Sequence, residues 1–174
     1  MQRVKMHRVV KHGQYINTRT HILMYNILVL GDNAVGKTSF IHQLIHRTFL
    51  QNPRATVGID FATLHQGGLS WHIWECEGHA IVNMLPAHKF NHIFILYNQT
   101  SHNSYKHWLD ATKHIICTKT ILLSKQDMFD DVTCVSNLHP EHIRTSAADG
   151  RGIEQCMQIL TNMYNASRAP TNRY

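Results

Sequence analysis

The stretch at residues 31–38, GDNAVGKT, constrains the fold of this chain more than any other segment. It satisfies the pattern G-x-x-x-x-G-K-[ST] and lies between an apolar run at residues 27–30 and a predicted helix at residues 37–47. In that context glycines let a loop wrap closely, so that backbone N–H groups and the positive end of the helix point at phosphate. We therefore predict a phosphate-binding loop, with Lys37 on the outer phosphates and the Thr38 hydroxyl on Mg²⁺.

This loop and the first turn of its helix supply the first group of predicted nucleotide-binding residues. They are Gly31, Asn33, Ala34, Val35, Gly36, Lys37, Thr38 and Ser39.

Short apolar runs alternate with helical stretches along the rest of the chain. Further strands are predicted at residues 61–64, 69–74, 93–97, 120–123 and 142–145, and helices at 104–114 and 152–166. Apolar runs that alternate with helices are typical of a mainly parallel sheet covered on both sides. We predict an α/β P-loop NTPase fold: a six-stranded, mostly parallel sheet with helices on both faces.

The length and the charge distribution indicate one domain with two short extensions. A chain of 174 residues is long enough for a single substantial core. Five of the 17 basic residues and none of the 11 acidic residues lie in the first 23 positions. We expect a flexible basic extension at 1–23, a domain at 24–167 and a short tail at 168–174.

The basic extension is interpreted first as a solvated tail. Weak contact with an anionic membrane is one alternative, and binding of nucleic acid or a transit peptide are weaker ones. The four cysteines are far apart and form no C-x-x-C pair, which favours reduced thiols and a cytoplasmic location. Histidines four apart, at 42 and 46 and at 88 and 92, are interpreted as polar surface positions because no carboxylate or cysteine completes a zinc site.

Two later segments are suited to recognising a base. SKQD, residues 124–127, directly follows a predicted strand, where Asp127 can accept two hydrogen bonds from guanine that adenine does not offer. A buried carboxylate left without those partners would penalise the wrong base. In RTSAA, residues 144–148, Ser146 and Ala147 could brace this loop and present a backbone N–H to a base oxygen.

The motifs GDNAVGKT, TVGID, WECEGH, SKQD and TSA, in this order, resemble those of a Ras-superfamily small GTPase, and most of all its Rab branch. The resemblance covers about residues 24–167. It implies a GDP/GTP switch in membrane or vesicle traffic or in signalling, with GTP or GDP and Mg²⁺ as cofactors. Protein effectors, exchange factors and activating factors are the implied partners.

The resemblance also implies roles for individual residues. Thr56, 19 positions after Lys37, would bind Mg²⁺ and sense the γ-phosphate, and Phe49 would pack on the guanine edge. The metal set is Thr38, Thr56 and Glu75. The Gly78 N–H would meet the γ-phosphate, and the catalytic set is His79, Lys37 and Gly78. The base site adds Ser124, Lys125, Asp127, Ser146 and Ala147.

Several positions depart from the family pattern. Glu75 replaces the usual aspartate, which predicts weaker metal affinity, and His79 replaces the water-positioning glutamine, which predicts slow hydrolysis. Ser124 replaces an asparagine and is predicted to lose a brace to the phosphate loop, so that nucleotide leaves faster. Ala148 replaces a lysine that would pack over the base. A shortened segment after Gly78 predicts a remodelled second switch.

The departures keep a second reading open: a degenerate GTPase that serves as a non-cycling binding module for Rab or Ras partners. A P-loop ATPase or kinase is a further alternative, against which Asp127 argues. The last cysteine, Cys156, lies in the final predicted helix and the chain ends APTNRY, so we expect no prenylation and no other covalent lipid anchor.

Overall fold

The structure, a computed structural model, describes residues 10–11, 14–15, 24–66, 69–86, 88–101, 103–129 and 141–168. The strands are β1 (Val10–Lys11), β2 (Gln14–Tyr15), β3 (Met24–Gly31), β4 (Ile59–Gln66), β5 (Leu69–Cys76), β6 (His92–Tyr97), β7 (Thr118–Leu123) and β8 (Ile143–Arg144). The helices are α1 (Lys37–His46), α2 (His79–Val82), α3 (Ser104–Ala111) and α4 (Ile153–Arg168).

Six of these strands form one sheet in the order β4-β5-β3-β6-β7-β8. Every neighbouring pair is parallel except β4 and β5, which pair antiparallel with Gln66 opposite Leu69. The predicted six-stranded, mostly parallel sheet is thus confirmed. The carboxyl ends of β3, β6 and β7 meet at one edge, which is where ligands bind in open α/β sheets.

Residues 27–30 of the central strand β3 form an uninterrupted apolar run, and the packing of the sheet explains it. Ile27 and Val29 belong to a core that also contains side chains of α1 and α4, whereas Leu28 and Leu30 belong to a second core that includes Trp108 of α3. Because successive side chains of a strand point to opposite faces, a strand covered on both sides must be apolar at every position. Helices therefore cover both faces, as predicted.

The ends of several elements differ from the sequence prediction. Helix α3 ends at Ala111, before the predicted position 114. Strand β8 has only two residues, and α4 continues to Arg168.

The two terminal extensions lie mostly outside the described residues. Of the predicted flexible segment 1–23, the structure describes only β1 and β2, which pair antiparallel. Positions 169–174 of the predicted tail, and the Gly67–Gly68 turn, fall outside it. No helix in the described ranges is long and apolar enough to cross a bilayer.

The prediction that His92 is a polar surface position is wrong, because this histidine is buried at the start of β6. His92 is 2% exposed, its Nδ1 lies 2.6 Å from the Thr118 hydroxyl, and its Nε2 has no hydrogen-bond partner among the described residues. Burial lowers the pKa of His92 from 6.5 to about 4. The folded protein therefore holds this ring neutral at pH values where an unfolded chain would already bind a proton.

We expect His92 to make stability depend on pH. Its folded pKa is depressed, so its contribution is fully present above pH 6.5 and is lost as the pH falls from 6.5 towards 4. Urea unfolding at about pH 7.5 and about pH 5 should differ by about 2 kcal/mol more in the wild type than in His92→Phe. His107→Gln, at an exposed histidine of α3, is the control and should keep the wild-type dependence. Equal slopes in His92→Phe and wild type would contradict this expectation.

Candidate functional site

A cavity of about 440 Å³ opens at the carboxyl edge of the sheet, beside the loop that joins β3 to α1. It gathers most of the predicted site residues, although they come from five separate segments of the chain. Those that line it are Asn33, Ala34, Gly36, Lys37, Thr38, Ser39, Phe49, Thr56, Glu75, Ser124, Lys125, Asp127 and Ala147.

The glycine loop lies very close to the neighbouring strand. A Cβ atom on Gly31 would lie 2.4 Å from the Leu96 carbonyl oxygen, so no other residue fits there without movement of the backbone. Gly36, with φ of 104°, adopts a left-handed conformation that favours glycine. Ala34 also has a positive φ, 56°, which is uncommon for a residue with a side chain. The loop is therefore tightly curved around a fixed point on β6.

Lys37 lies inside this loop. Its side chain is buried, and its Nζ donates to the carbonyl oxygens of Gly31 and Asp32, both at 3.0 Å. Burial lowers the pKa of Lys37, while the carboxylates of Glu75 and Glu77 act in the opposite direction. A desolvated ammonium held by neutral carbonyl groups gains most from an anion, so the loop is suited to phosphate.

Three oxygen-bearing side chains meet next to Lys37. The Thr38 hydroxyl lies 2.8 Å and 3.0 Å from the two carboxylate oxygens of Glu75 and 3.3 Å from the Thr56 hydroxyl. Burial raises the pKa of the Glu75 carboxyl, and the hydrogen bond from Thr38 partly offsets this. Within the described residues no three or more His, Cys, Asp or Glu side chains are grouped for a metal. Hard oxygen ligands in this number fit Mg²⁺, which binds through few protein groups together with phosphate.

The predicted base-binding loops are joined by hydrogen bonds. One carboxylate oxygen of Asp127 accepts from the Ser146 hydroxyl at 2.6 Å. The Ser146 oxygen accepts in turn from the backbone N–H groups of Ala148 at 3.1 Å and Asp149 at 3.3 Å. Ser146 does not line the cavity but fixes the position of Asp127, which does.

The prediction that Ser124 loses the brace to the phosphate loop is wrong. Ser124 is buried, and its hydroxyl lies 2.8 Å from the Val35 carbonyl oxygen and 3.0 Å from that of Tyr97. The Ser124 N–H also donates to the Tyr97 carbonyl at 2.8 Å, which holds the residue close behind the loop. At this separation a one-carbon side chain is long enough to reach the loop backbone.

Phe49 lies at the cavity, whereas Gly78, which follows β5, is not among the residues that line it. Phe49 lines the cavity and is 45% exposed, so it does not belong to the core. Gly78 has φ of 89° with open space around it, and His79 begins α2; its side chain lies outside the described residues. Met84, beyond α2, is exposed.

Several functional candidates were missed from the sequence. The cavity is also lined by Phe40, Gln51, Pro53, Arg54, Ala55, Glu77, Met128, Thr145 and Ala148. Asp32 occupies a variable position of the loop pattern, yet its carboxylate accepts from the Trp108 indole N–H at 2.9 Å. Glu77 stands where the family motif W-D-T-A-G-Q, which WECEGH at residues 74–79 resembles, has alanine. That added charge was the signal available in the sequence.

The family comparisons agree with this geometry. Residues 26–127, more than half of the chain, match the family model "Roc: Ras of Complex, Roc, domain of DAPkinase". The chain is similar to Ras-related protein Rab-44 of Mus musculus, with 34% identity over 99 residues that cover 51% of this chain and 10% of that protein. It is similar to Ras-related protein Rab-32 of Homo sapiens, with 49% identity over 45 residues that cover 26% of this chain and 19% of that protein.

A third relative matches over most of its length. Ras-related protein Rab7 of Drosophila melanogaster is 28% identical over 163 residues, which cover 79% of this chain and 78% of that protein. The likeness to Rab7 therefore extends over most of this chain, whereas the chain spans only about a tenth of Rab-44.

We expect the hydroxyl of Ser124 to stabilise the fold through its bond to the phosphate loop. Ser124→Ala would leave the Val35 carbonyl without this donor and should lower the free energy of unfolding by about 1–2 kcal/mol in a urea titration. Ser104→Ala is the matched control, since the buried Ser104 hydroxyl has no hydrogen-bond partner among the described residues. If both variants lose the same stability, the bond to Val35 contributes nothing.

Proposed function

The chain belongs to the Ras superfamily of small GTPases, as a divergent member of its Rab branch, and we propose that it is a GDP/GTP switch with slow intrinsic hydrolysis. Its place of action would be the cytoplasm, in membrane or vesicle traffic or in signalling. Effectors, exchange factors and activating factors are its proposed partners, and the basic N-terminal segment would supply weak membrane contact.

The observation that supports this proposal most is that side chains suited to phosphate and side chains suited to a base line the same cavity. Lys37, Thr38 and Thr56 lie at its phosphate end, and Asp127 lines it together with Phe49. The carboxylate of Asp127 can accept paired hydrogen bonds from guanine, and the exposed ring of Phe49 can pack on the base. Such a cavity suits a guanine nucleotide better than a phosphate group alone.

Mg²⁺ would be held by Thr38, Thr56 and Glu75. When bound, it would neutralise charge on the outer phosphates. In the described conformation Glu75 hydrogen-bonds directly to the Thr38 hydroxyl. That contact competes with a metal for the same hydroxyl oxygen and carboxylate, which supports the expectation of weaker metal affinity.

Hydrolysis in this family is mainly a matter of positioning and charge stabilisation. Lys37 would bind the outer phosphates, and the Gly78 N–H would donate to the γ-phosphate. In the family motif a glutamine at this position orients the attacking water, and His79 would take its place here. A histidine ring presents its nitrogen atoms in a different geometry from an amide, so we propose slow turnover.

An exposed apolar surface next to the cavity supports effector binding. Val57, Ile59 and Phe61 are large exposed side chains that follow directly after Thr56. Phe61 packs edge-on against Trp74 at 5.1 Å between ring centroids, and Trp74 packs against Phe90 at 6.2 Å. Since this surface is continuous in sequence with a residue proposed to sense the γ-phosphate, a partner could read the bound nucleotide there.

The alternative is a non-cycling binding module, which the departures at Glu75, His79, Ser124 and Ala148 suggested from the sequence. Chromatography of nucleotide released from the purified protein separates the two proposals. Bound GDP or GTP, with affinity that depends on Mg²⁺, supports the switch. Protein that contains no nucleotide, and that does not bind GTP at micromolar concentration, supports the module.

We expect His79→Gln to hydrolyse GTP faster than the wild type, because an amide would restore the positioning group. A single-turnover assay with preloaded GTP should show an increase of at least about tenfold. His107→Gln makes the same exchange on α3 and should leave the rate unchanged. A His79→Gln rate no higher than that of wild type would show that this residue does not limit hydrolysis.

We expect Glu75→Asp to retain nucleotide at lower Mg²⁺ concentration, because the shorter side chain would release the Thr38 hydroxyl for the metal. Titration of nucleotide release with a chelator measures this. Unchanged chelator sensitivity in Glu75→Asp would contradict a metal-binding role for this position.

In the wild type, the Glu75 carboxyl should take up a proton as the pH falls through its raised pKa. The retention of Mg²⁺ should therefore weaken at a higher pH than an ordinary glutamate would give.

A further inference from the structure

Glu77 is a cavity residue to which none of the roles above has been assigned. It follows β5 directly, is partly buried, and lines the cavity together with Lys37, Thr56 and Glu75. Its backbone N–H donates to the Gly58 carbonyl oxygen at 2.9 Å. This bond fixes Glu77 to the segment that follows Thr56, so its side chain starts from a defined point at the phosphate end.

The carboxylate of Glu77 acts on the same ammonium group that would bind the outer phosphates. Among the charged neighbours that raise the pKa of Lys37, Glu77 ranks second after Glu75 and ahead of Asp32. Since Lys37 and Glu77 also line the same cavity, the charge of Glu77 lies at the end of the cavity that holds the phosphate loop. The two glutamates therefore bring two negative charges to the end of the cavity that a nucleoside triphosphate would fill.

These two carboxylates are not equivalent. Glu75 accepts hydrogen bonds from Thr38 and belongs to the proposed metal set. Glu77 lines the cavity without belonging to that set, and its backbone N–H holds it to the Gly58 carbonyl. Like charges a few ångströms apart in a partly desolvated site repel strongly, by an amount equivalent to more than about tenfold in affinity.

We propose that Glu77 determines which nucleotide this site prefers, by disfavouring the γ-phosphate and so shifting the protein towards its diphosphate-bound state. The inference rests on the proposed guanine-nucleotide site. GDP ends one phosphate earlier and avoids most of the repulsion, whereas GTP places further negative charge beside Glu77. Glu77 changes the ratio of the affinities for GDP and GTP. The protein therefore stays in its GDP-bound state until a partner or a high GTP concentration overcomes this preference.

The test is the ratio of the dissociation constants for GDP and for a non-hydrolysable GTP analogue, measured with fluorescent nucleotides at fixed Mg²⁺. Glu77→Gln keeps the size of the side chain and removes its charge, and Glu77→Ala restores the residue of the resembling motif. Both should bind the GTP analogue about tenfold to a hundredfold more tightly, with GDP affinity changed by less than about threefold. Glu154→Gln removes an exposed charge from α4 and should leave both constants unchanged.

The outcomes distinguish this inference from the function on which it rests. If the wild type binds neither nucleotide, the proposed guanine site is wrong. If it binds both and the ratio is unchanged in Glu77→Gln and Glu77→Ala, only the role of Glu77 is wrong. Weaker binding of the GTP analogue in both variants would show that Glu77 helps to hold the triphosphate or its metal, which also overturns the inference. An equal loss of both affinities would assign Glu77 a structural role instead.

Discussion

The close approach of Gly31 to the Leu96 carbonyl oxygen is the constraint on which the site depends. A Cβ atom there would lie 2.4 Å from that oxygen, so the end of β3 can meet β6 only through a glycine. From this point the loop curves around Lys37, and α1 begins at that lysine. Ser124 then holds the loop from β7 and Trp108 holds it from α3. The phosphate end of the cavity is thus anchored to both cores.

Much of this arrangement could be predicted from the residues. The uninterrupted apolar run in β3 indicated a strand covered on both faces, and the glycine pattern indicated the loop, because each reflects a strict local requirement. The meeting of Asp127 with Ser146 followed from the rule that parallel strands end at the same edge of a sheet. Element ends were less predictable: α3 ends at Ala111 rather than at position 114, since the last turn of a helix is often irregular and periodicity does not mark where it stops.

The predictions that failed or fell short concern distances between side chains. Ser124 was expected to be too short to reach the loop, but reach depends on how close the backbones lie, and sequence does not give that separation. Asp32 occupies a position that the loop pattern leaves open, so its bond to Trp108 has no local signature. Glu77 carried a signal, a charge in place of alanine, but only the structure shows that it lines the same cavity as Lys37.

The bond between Asp32 and Trp108 has a consequence for how this protein can be observed. An indole ring whose N–H donates to a carboxylate changes its fluorescence when that carboxylate moves or is exchanged for solvent. Trp108 is buried, and its bonded partner belongs to the loop that would close on the phosphates. The chain therefore carries a natural optical reporter at the back of its own loop, which could follow loading and release in real time without an attached dye.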